Sequence, residues 1–245
     1  MKIIKVIFFA AALLGVKPLI AQSVVKPPAA QNNFEKEYQD AIKNSMYPPG
    51  DTKDTSLIAI VPGNKNLVWK TIKGEQYVLM VTWAATNYYG DSGVYNTGNY
   101  QIWTTTAPEL QQRMKKEKYS DPELRLTQLL GLPPGSSHSM FIEFWVRPQD
   151  LFRPCPDKEI NDKTCNLCFG AKDSLDPSYI QWINNTRISR YYACGLYNQY
   201  PWTELGYTYD WNAQNKNHVG LCEFVIGENK NIYVNKVYNT KEYLK

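Results

Sequence analysis

Histidine is almost missing from this chain, with His138 and His218 the only two in 245 residues. Neither sits in an HExxH pattern, and no GxSxG elbow accompanies them, so the zinc-protease and α/β-hydrolase signatures are absent. No glycine-rich phosphate loop occurs, and no segment repeats. An excess of charge is also lacking. The formal net charge of +4 falls to +1 once Lys2, Lys5 and Lys17 are set aside with the N-terminal segment described next. That balance leaves no electrostatic footprint for nucleic acid or an anionic membrane. The densest basic run, RMKKEK at 113–118, contains Glu117 and reads as a solvated helix face.

The one long apolar run is VIFFAAALLGV, residues 6–16, too short to cross a bilayer comfortably. Lys2 and Lys5 precede it, Lys17 and Pro18 end it, and Ala21 offers a small residue for cleavage. This is the pattern of a secretory signal peptide over 1–21. No cysteine follows the apolar run to take a lipid. The expectation is a secreted or periplasmic protein with no membrane span after cleavage. Residues 22–33, QSVVKPPAAQNN, read as a disordered leader. Residues 34–245 are long enough for a single globular domain with a real core.

Aromatics are plentiful, with 18 Tyr and 7 Trp. Such rings pack well on sheets and also suit sugar-stacking or protein-binding surfaces. Strand patterns fall at LIAIV (57–61), LVWKTI (67–72), YVLMVTW (77–83), YQIWTTT (100–106), MFIEFWV (140–146), YTYDW (207–211), VGLCEFVI (219–226) and NIYVNKVY (231–238). GENKN (227–231) reads as a hairpin turn joining the last two. Helical patterns cover 33–44, the stretch after Pro108, the segment opened by Asp121–Pro122 and closed by Gly131, and DPSYIQWINN (176–185). Strands dominate, and the three or four short helices fall in clumps rather than alternating with them. The fold class is therefore α+β, with a largely antiparallel sheet able to curl towards a barrel.

Five cysteines remain after cleavage, and an oxidising compartment favours disulfides. Cys222 alternates with Phe224 and Ile226 and is expected as a buried free thiol. Cys155–Cys165 closing an acidic loop and Cys168–Cys194 tying it to the next segment is the least crowded pairing. CNLCFG also allows a four-thiolate zinc site, and CxxC allows a redox pair that would need a helix N-terminus.

Two polar-aromatic clusters are candidate ligand sites. In MFIEFWV, alternation places Glu143, Trp145 and Arg147 on one face with Phe141, and Ile142, Phe144 and Val146 on the other. A carboxylate beside an indole suits a hydroxyl-rich ligand, although a half-exposed sheet face with paired charges looks the same. PWTELGYTYDWN supplies Glu204, Tyr207, Tyr209, Asp210 and Trp211 among further rings, with Glu223 nearby. Two carboxylates drawn from Glu143, Glu204, Asp210 and Glu223 are the minimum for glycoside hydrolysis. Asp150, Asp157, Glu159 and Asp162 lack the EF-hand order and are expected to pair with Arg147 and Arg153 rather than hold calcium.

RLTQLLGLPPG, FIEFWVRPQDLFRPCPD and PWTELGYTYDW…VGLCEFVI together resemble segments of an uncharacterised family of exported bacterial proteins, over about the C-terminal half of the chain. The resemblance implies an intact domain type and carries no activity or site residue. The residues favour a non-catalytic domain binding a small molecule, glycan or protein through an aromatic-rich polar face. No motif calls for a cofactor or metal. A glycan-acting, carboxylate-dependent hydrolase and a purely structural interaction protein are the alternatives.

Overall fold

The computed structural model describes residues 29–48, 53–170 and 176–245. The expected signal peptide, and the leader up to residue 28, lie outside the described residues. Helix α1 (Ala29–Met46) begins within the stretch read as a leader.

An antiparallel eight-stranded sheet organises the chain and does not close into a barrel. Its order is β4 (Gly93–Asn96), β12 (Asn231–Asn239), β6 (Met140–Val146), β3 (Glu75–Ala84), β5 (Ile102–Thr106), β11 (Phe224–Ile226) and β7 (Leu151–Phe152). β2 (Trp69–Ile72) pairs with the first half of β3, on the same edge that β5 occupies further along. Two small antiparallel pairs complete the strands: β1 (Lys53–Asp54) with β8 (Cys165–Asn166), and β9 (Tyr207–Tyr209) with β10 (Val219–Cys222).

Strand alternation divides the interior into two layers. Val78, Met80, Ile142, Phe144, Val146, Phe224 and Ile226 face one side, under the 57–67 segment and the cysteine loop. Leu79, Val81, Trp83, Phe141, Trp145 and Leu221 face the other. There they meet α2 (Ala107–Lys116), α3 (Pro122–Leu129) and the C-terminal α5 (Thr240–Tyr243) through Leu110, Met114, Leu126, Leu129 and Tyr243. The helix starts are local chemistry. Asp121 accepts from the amides of Glu123 and Leu124, both at 3.0 Å, and Pro122 opens α3. Gly131, at φ +64°, ends it: Leu132 N reaches Thr127 O and Gly131 N reaches Gln128 O. Asp176 and Pro177 start α4 (Pro177–Tyr191) in the same way.

Three sequence expectations are corrected. LIAIV forms no strand; it is a covering segment whose amides at Leu57 and Ile60 bond to Lys163 O and Ile160 O in the cysteine loop. VGLCEFVI is two strands, broken at Glu223 and paired with different partners. GENKN does not close a hairpin, because β11 pairs with β5 and β7 while β12 lies between β4 and β6, with three strands separating it from β11. Its ends are anchored instead by Gly227 N to Asp150 O and by Thr97, whose hydroxyl donates to Gly227 O and accepts from Lys230 N.

The cysteine loop is held by Arg153, which is fully buried. Its guanidinium donates to Asp162 Oδ1 and Thr164 O, both at 2.9 Å, and to the backbone oxygens of Asp162 and Ile58. Arg147 pairs with Asp150 at 2.7 Å. Cys155 and Cys165 form a disulfide, Cys222 is a buried thiol, and Cys168 and Cys194 are exposed thiols rather than a second bridge. With Cys155 and Cys165 bonded to each other, the four-thiolate arrangement is not formed.

Candidate functional site

The split at Glu223 builds a site. Cys222 and Phe224 point into the first core layer, so Glu223 between them points to the opposite side. On β5, Ile102 faces that first layer and Trp103 the opposite one. Val81 and Trp83 of β3 share this second side. α4 crosses nearby, and Arg190 in its last turn falls seven residues after the buried Ile183, on the same helix face. The segments carrying Tyr88 and Tyr89, Leu130–Leu132, His138, and Tyr200–Trp202 close a cavity of about 440 Å³ over this surface.

The lining is mostly apolar and aromatic, with few polar groups. Arg190 lies over the rings of Trp103 and Tyr200, 4.8 Å from each centroid. Among the described residues its guanidinium has no ion-pair partner and no hydrogen-bond acceptor. Glu223, half-buried, likewise has no ion-pair or hydrogen-bond partner for its carboxyl, which is partly desolvated. That desolvation raises its pKa to about 7, with the charge of Arg190 opposing the rise. His138 lies tilted against Trp83, 5.2 Å between centroids, with Nδ1 3.0 Å from Ser136 Oγ. Burial pushes its pKa down and favours the neutral ring. The indole N–H of Trp202 is buried without an acceptor. Tyr88, 74% exposed, stands at the rim.

Most of the sequence-predicted residues lie elsewhere. Glu143 is buried rather than half-exposed and accepts from Asn235 Nδ2 at 2.7 Å, while Trp145 Nε1 donates to Asn235 Oδ1 at 2.8 Å. Asn235 is the extra residue of a β-bulge between Val234 and Lys236, and the bulge turns its amide onto the Glu143–Trp145 face. Burial raises the pKa of Glu143, opposed by these hydrogen bonds. Arg147 is engaged by Asp150 and Glu75. Glu204, at φ +56°, is gripped by Arg187 through Nε and Nη2 and accepts from Tyr191 OH at 3.2 Å. Asp210 is fully buried against Arg125. Trp211 donates to Leu132 O at 2.9 Å and packs on Tyr38. Tyr207 is half-buried beside the first core layer. Tyr209 does line the cavity, stacked on His218 at 4.8 Å. The four charges Glu143, Arg147, Glu204 and Asp210 therefore do not converge.

Arg190, Trp103, Trp83 and Tyr200 escaped the sequence reading. Only Glu223 left a signal, as a lone acid inside the apolar run VGLCEFVI. A second cleft of about 770 Å³ is lined by Arg113, Glu117, Arg125 and the 212–215 turn. Its arginines are already bonded to Glu117 and Asp210. No group of three or more metal-ligating side chains occurs among the described residues, and no described helix is long and apolar enough to cross a membrane. No protein-family model, curated protein or solved structure matches the chain.

Proposed function

We propose that this is an exported small-molecule-binding domain that holds its ligand in the aromatic cavity between β5, α4 and the 200–202 segment. One observation carries the reading: Arg190 and Glu223, opposite in charge and without ion-pair or hydrogen-bond partners for their charged groups among the described residues, line the same largely apolar cavity. A cavity of this size, mostly apolar with a few polar groups, has the form of a ligand site. The Cys155–Cys165 bridge fits an oxidising compartment, as the expected signal peptide does.

The hydrolase alternative has less support. A carboxyl with a pKa near 7 suits a general acid, but glycoside hydrolysis uses two carboxyl groups. Glu223 is the only carboxylate among the described residues lining the cavity. Titration of the full-length protein with a library of sugars, amino acids and short organic acids tests the binding reading. Trp83, Trp103 and Trp202 line the cavity, so an occupant should shift intrinsic fluorescence, and Glu223→Gln should weaken that response at least tenfold. A folded protein unmoved by every compound would refute it.

A further inference from the structure

We propose that the ligand is a free amino acid with a large apolar side chain, its carboxylate on Arg190 and its ammonium on Glu223. This rests on the small-molecule reading above and narrows it to one chemical class.

The charges set the class. Arg190 is half-buried, anchored on Trp103 and Tyr200 by its face, so its N–H groups remain unbonded while its position is fixed. A guanidinium presented this way is complementary to a carboxylate. Glu223 lines the same cavity as Arg190 yet forms no ion pair with it. A ligand with only a carboxylate would meet Arg190 but face Glu223, and an amine alone would reverse the mismatch. A zwitterion answers both, and its ammonium favours the ionised form of the Glu223 carboxyl.

The apolar share of the remaining lining favours an apolar side chain over a sugar. Three of the lining hydroxyls are committed: Thr104 to Phe224 O, Thr105 to Glu109 and Thr208 to Leu129 O. Two of the three indoles have their faces occupied as well. Trp83 lies between Phe141 and His138, and Trp103 carries Arg190 and stacks on Trp182 at 6.2 Å. Leu130 and Leu132, both only partly buried, offer an apolar surface for a side chain.

Calorimetric titration of the full-length protein compares L-phenylalanine, L-tryptophan and L-leucine with 3-phenylpropionate, phenethylamine and glucose. At least one amino acid should bind ten-fold or more tightly than all three controls. Glu223→Gln should weaken amino acids and phenethylamine but not 3-phenylpropionate, and Arg190→Lys, which keeps the cation, should bind amino acids better than Arg190→Gln does. Equal or tighter binding of 3-phenylpropionate, phenethylamine or glucose overturns the proposal. If none of the six binds while another library compound does, the amino-acid assignment falls and the binding reading stands. If nothing in either set binds, both fall.

Discussion

Arg125 donates two hydrogen bonds to the carboxylate of Asp210, from Nη1 to Oδ1 at 2.9 Å and from Nη2 to Oδ2 at 2.6 Å. Asp210 is fully buried, and Asn215 Nδ2 and the amide of Asn212 supply further donors. The fork joins α3 to the end of β9, next to Tyr209 in the cavity wall. Breaking one side of such a pair costs more than the pair contributes, because the other charge stays buried. Asp210→Asn should therefore destabilise the fold by about 3 kcal/mol. Urea denaturation measures it, and a loss below about 1 kcal/mol would mean that Glu117 alone satisfies Arg125.

Glu223 makes a pH prediction with a definite sign. Its carboxyl is raised from an ordinary 4.5 to about 7 by desolvation, against the opposing charge of Arg190. The folded state then holds a proton that the unfolded state has released, so stability falls as pH rises from about 4.5 to about 7 and levels off above that. Glu223→Gln removes this loss. The stability of the variant relative to wild type should rise by about 2 kcal/mol between pH 5 and pH 8. Lowered carboxyls such as Asp162 and Glu117, which destabilise the fold on acidification, contribute equally to both proteins and cancel. Parallel wild-type and variant curves would show that water reaches the Glu223 carboxyl.

Local signals were legible where local chemistry decides the outcome. MFIEFWV forms a strand over the expected residues and with the expected faces, because period-two alternation is a property of the backbone. Asp121–Pro122 and Gly131 bracket α3 for equally local reasons. Pairing was not legible. GENKN has the chemistry of a two-strand turn, but its flanking strands find better partners elsewhere in the sheet. The candidate charges were misplaced for a related reason. Asp210 and Glu204 look like a site in PWTELGYTYDWN, yet their arginines come from Arg125 and Arg187, which are 85 and 17 residues away in the chain. Trp103 and Arg190 meet only because α4 crosses β5, and no spacing within either segment encodes that crossing.

The Cys155–Cys165 bridge closes a short loop, with a sequence separation of 10. By the chain-entropy relation, such a loop contributes about 2–3 kcal/mol. The native loop has other supports. Tyr179 OH donates to Cys155 O at 2.6 Å, and Arg153 bonds across the loop. The double replacement Cys155→Ala/Cys165→Ala should thus fold to the same structure and lose stability by about that amount. Thermal unfolding together with the amide spectrum of residues 153–165 would check both halves. Loss of the whole fold would show that the bridge, rather than Arg153, organises this side of the sheet.

Gly220 sits where β10 passes closest to β9 and α3. A Cβ there would lie 2.2 Å from Thr208 Oγ1, 2.5 Å from Thr208 O and 2.7 Å from Leu129 O. Two of those atoms are backbone, so no rotamer change relieves the clash. The third is a relay, in which Thr208 Oγ1 accepts from Leu221 N at 2.9 Å and donates to Leu129 O at 2.7 Å. Gly220→Ala should cost about 3 kcal/mol, combining overpacking with disrupted buried hydrogen bonds. Thr208→Val removes only the relay and should cost about 1–2 kcal/mol. Both changes act on one contact, so the double variant should lose less than the sum of the two. Thr208 also lines the cavity, which ties this packing to the site: Gly220→Ala should weaken any ligand held there even at temperatures where the protein remains folded. Strict additivity in the cycle, with binding unchanged, would mean that β9 and β10 separate freely and that the close approach does not shape the cavity wall.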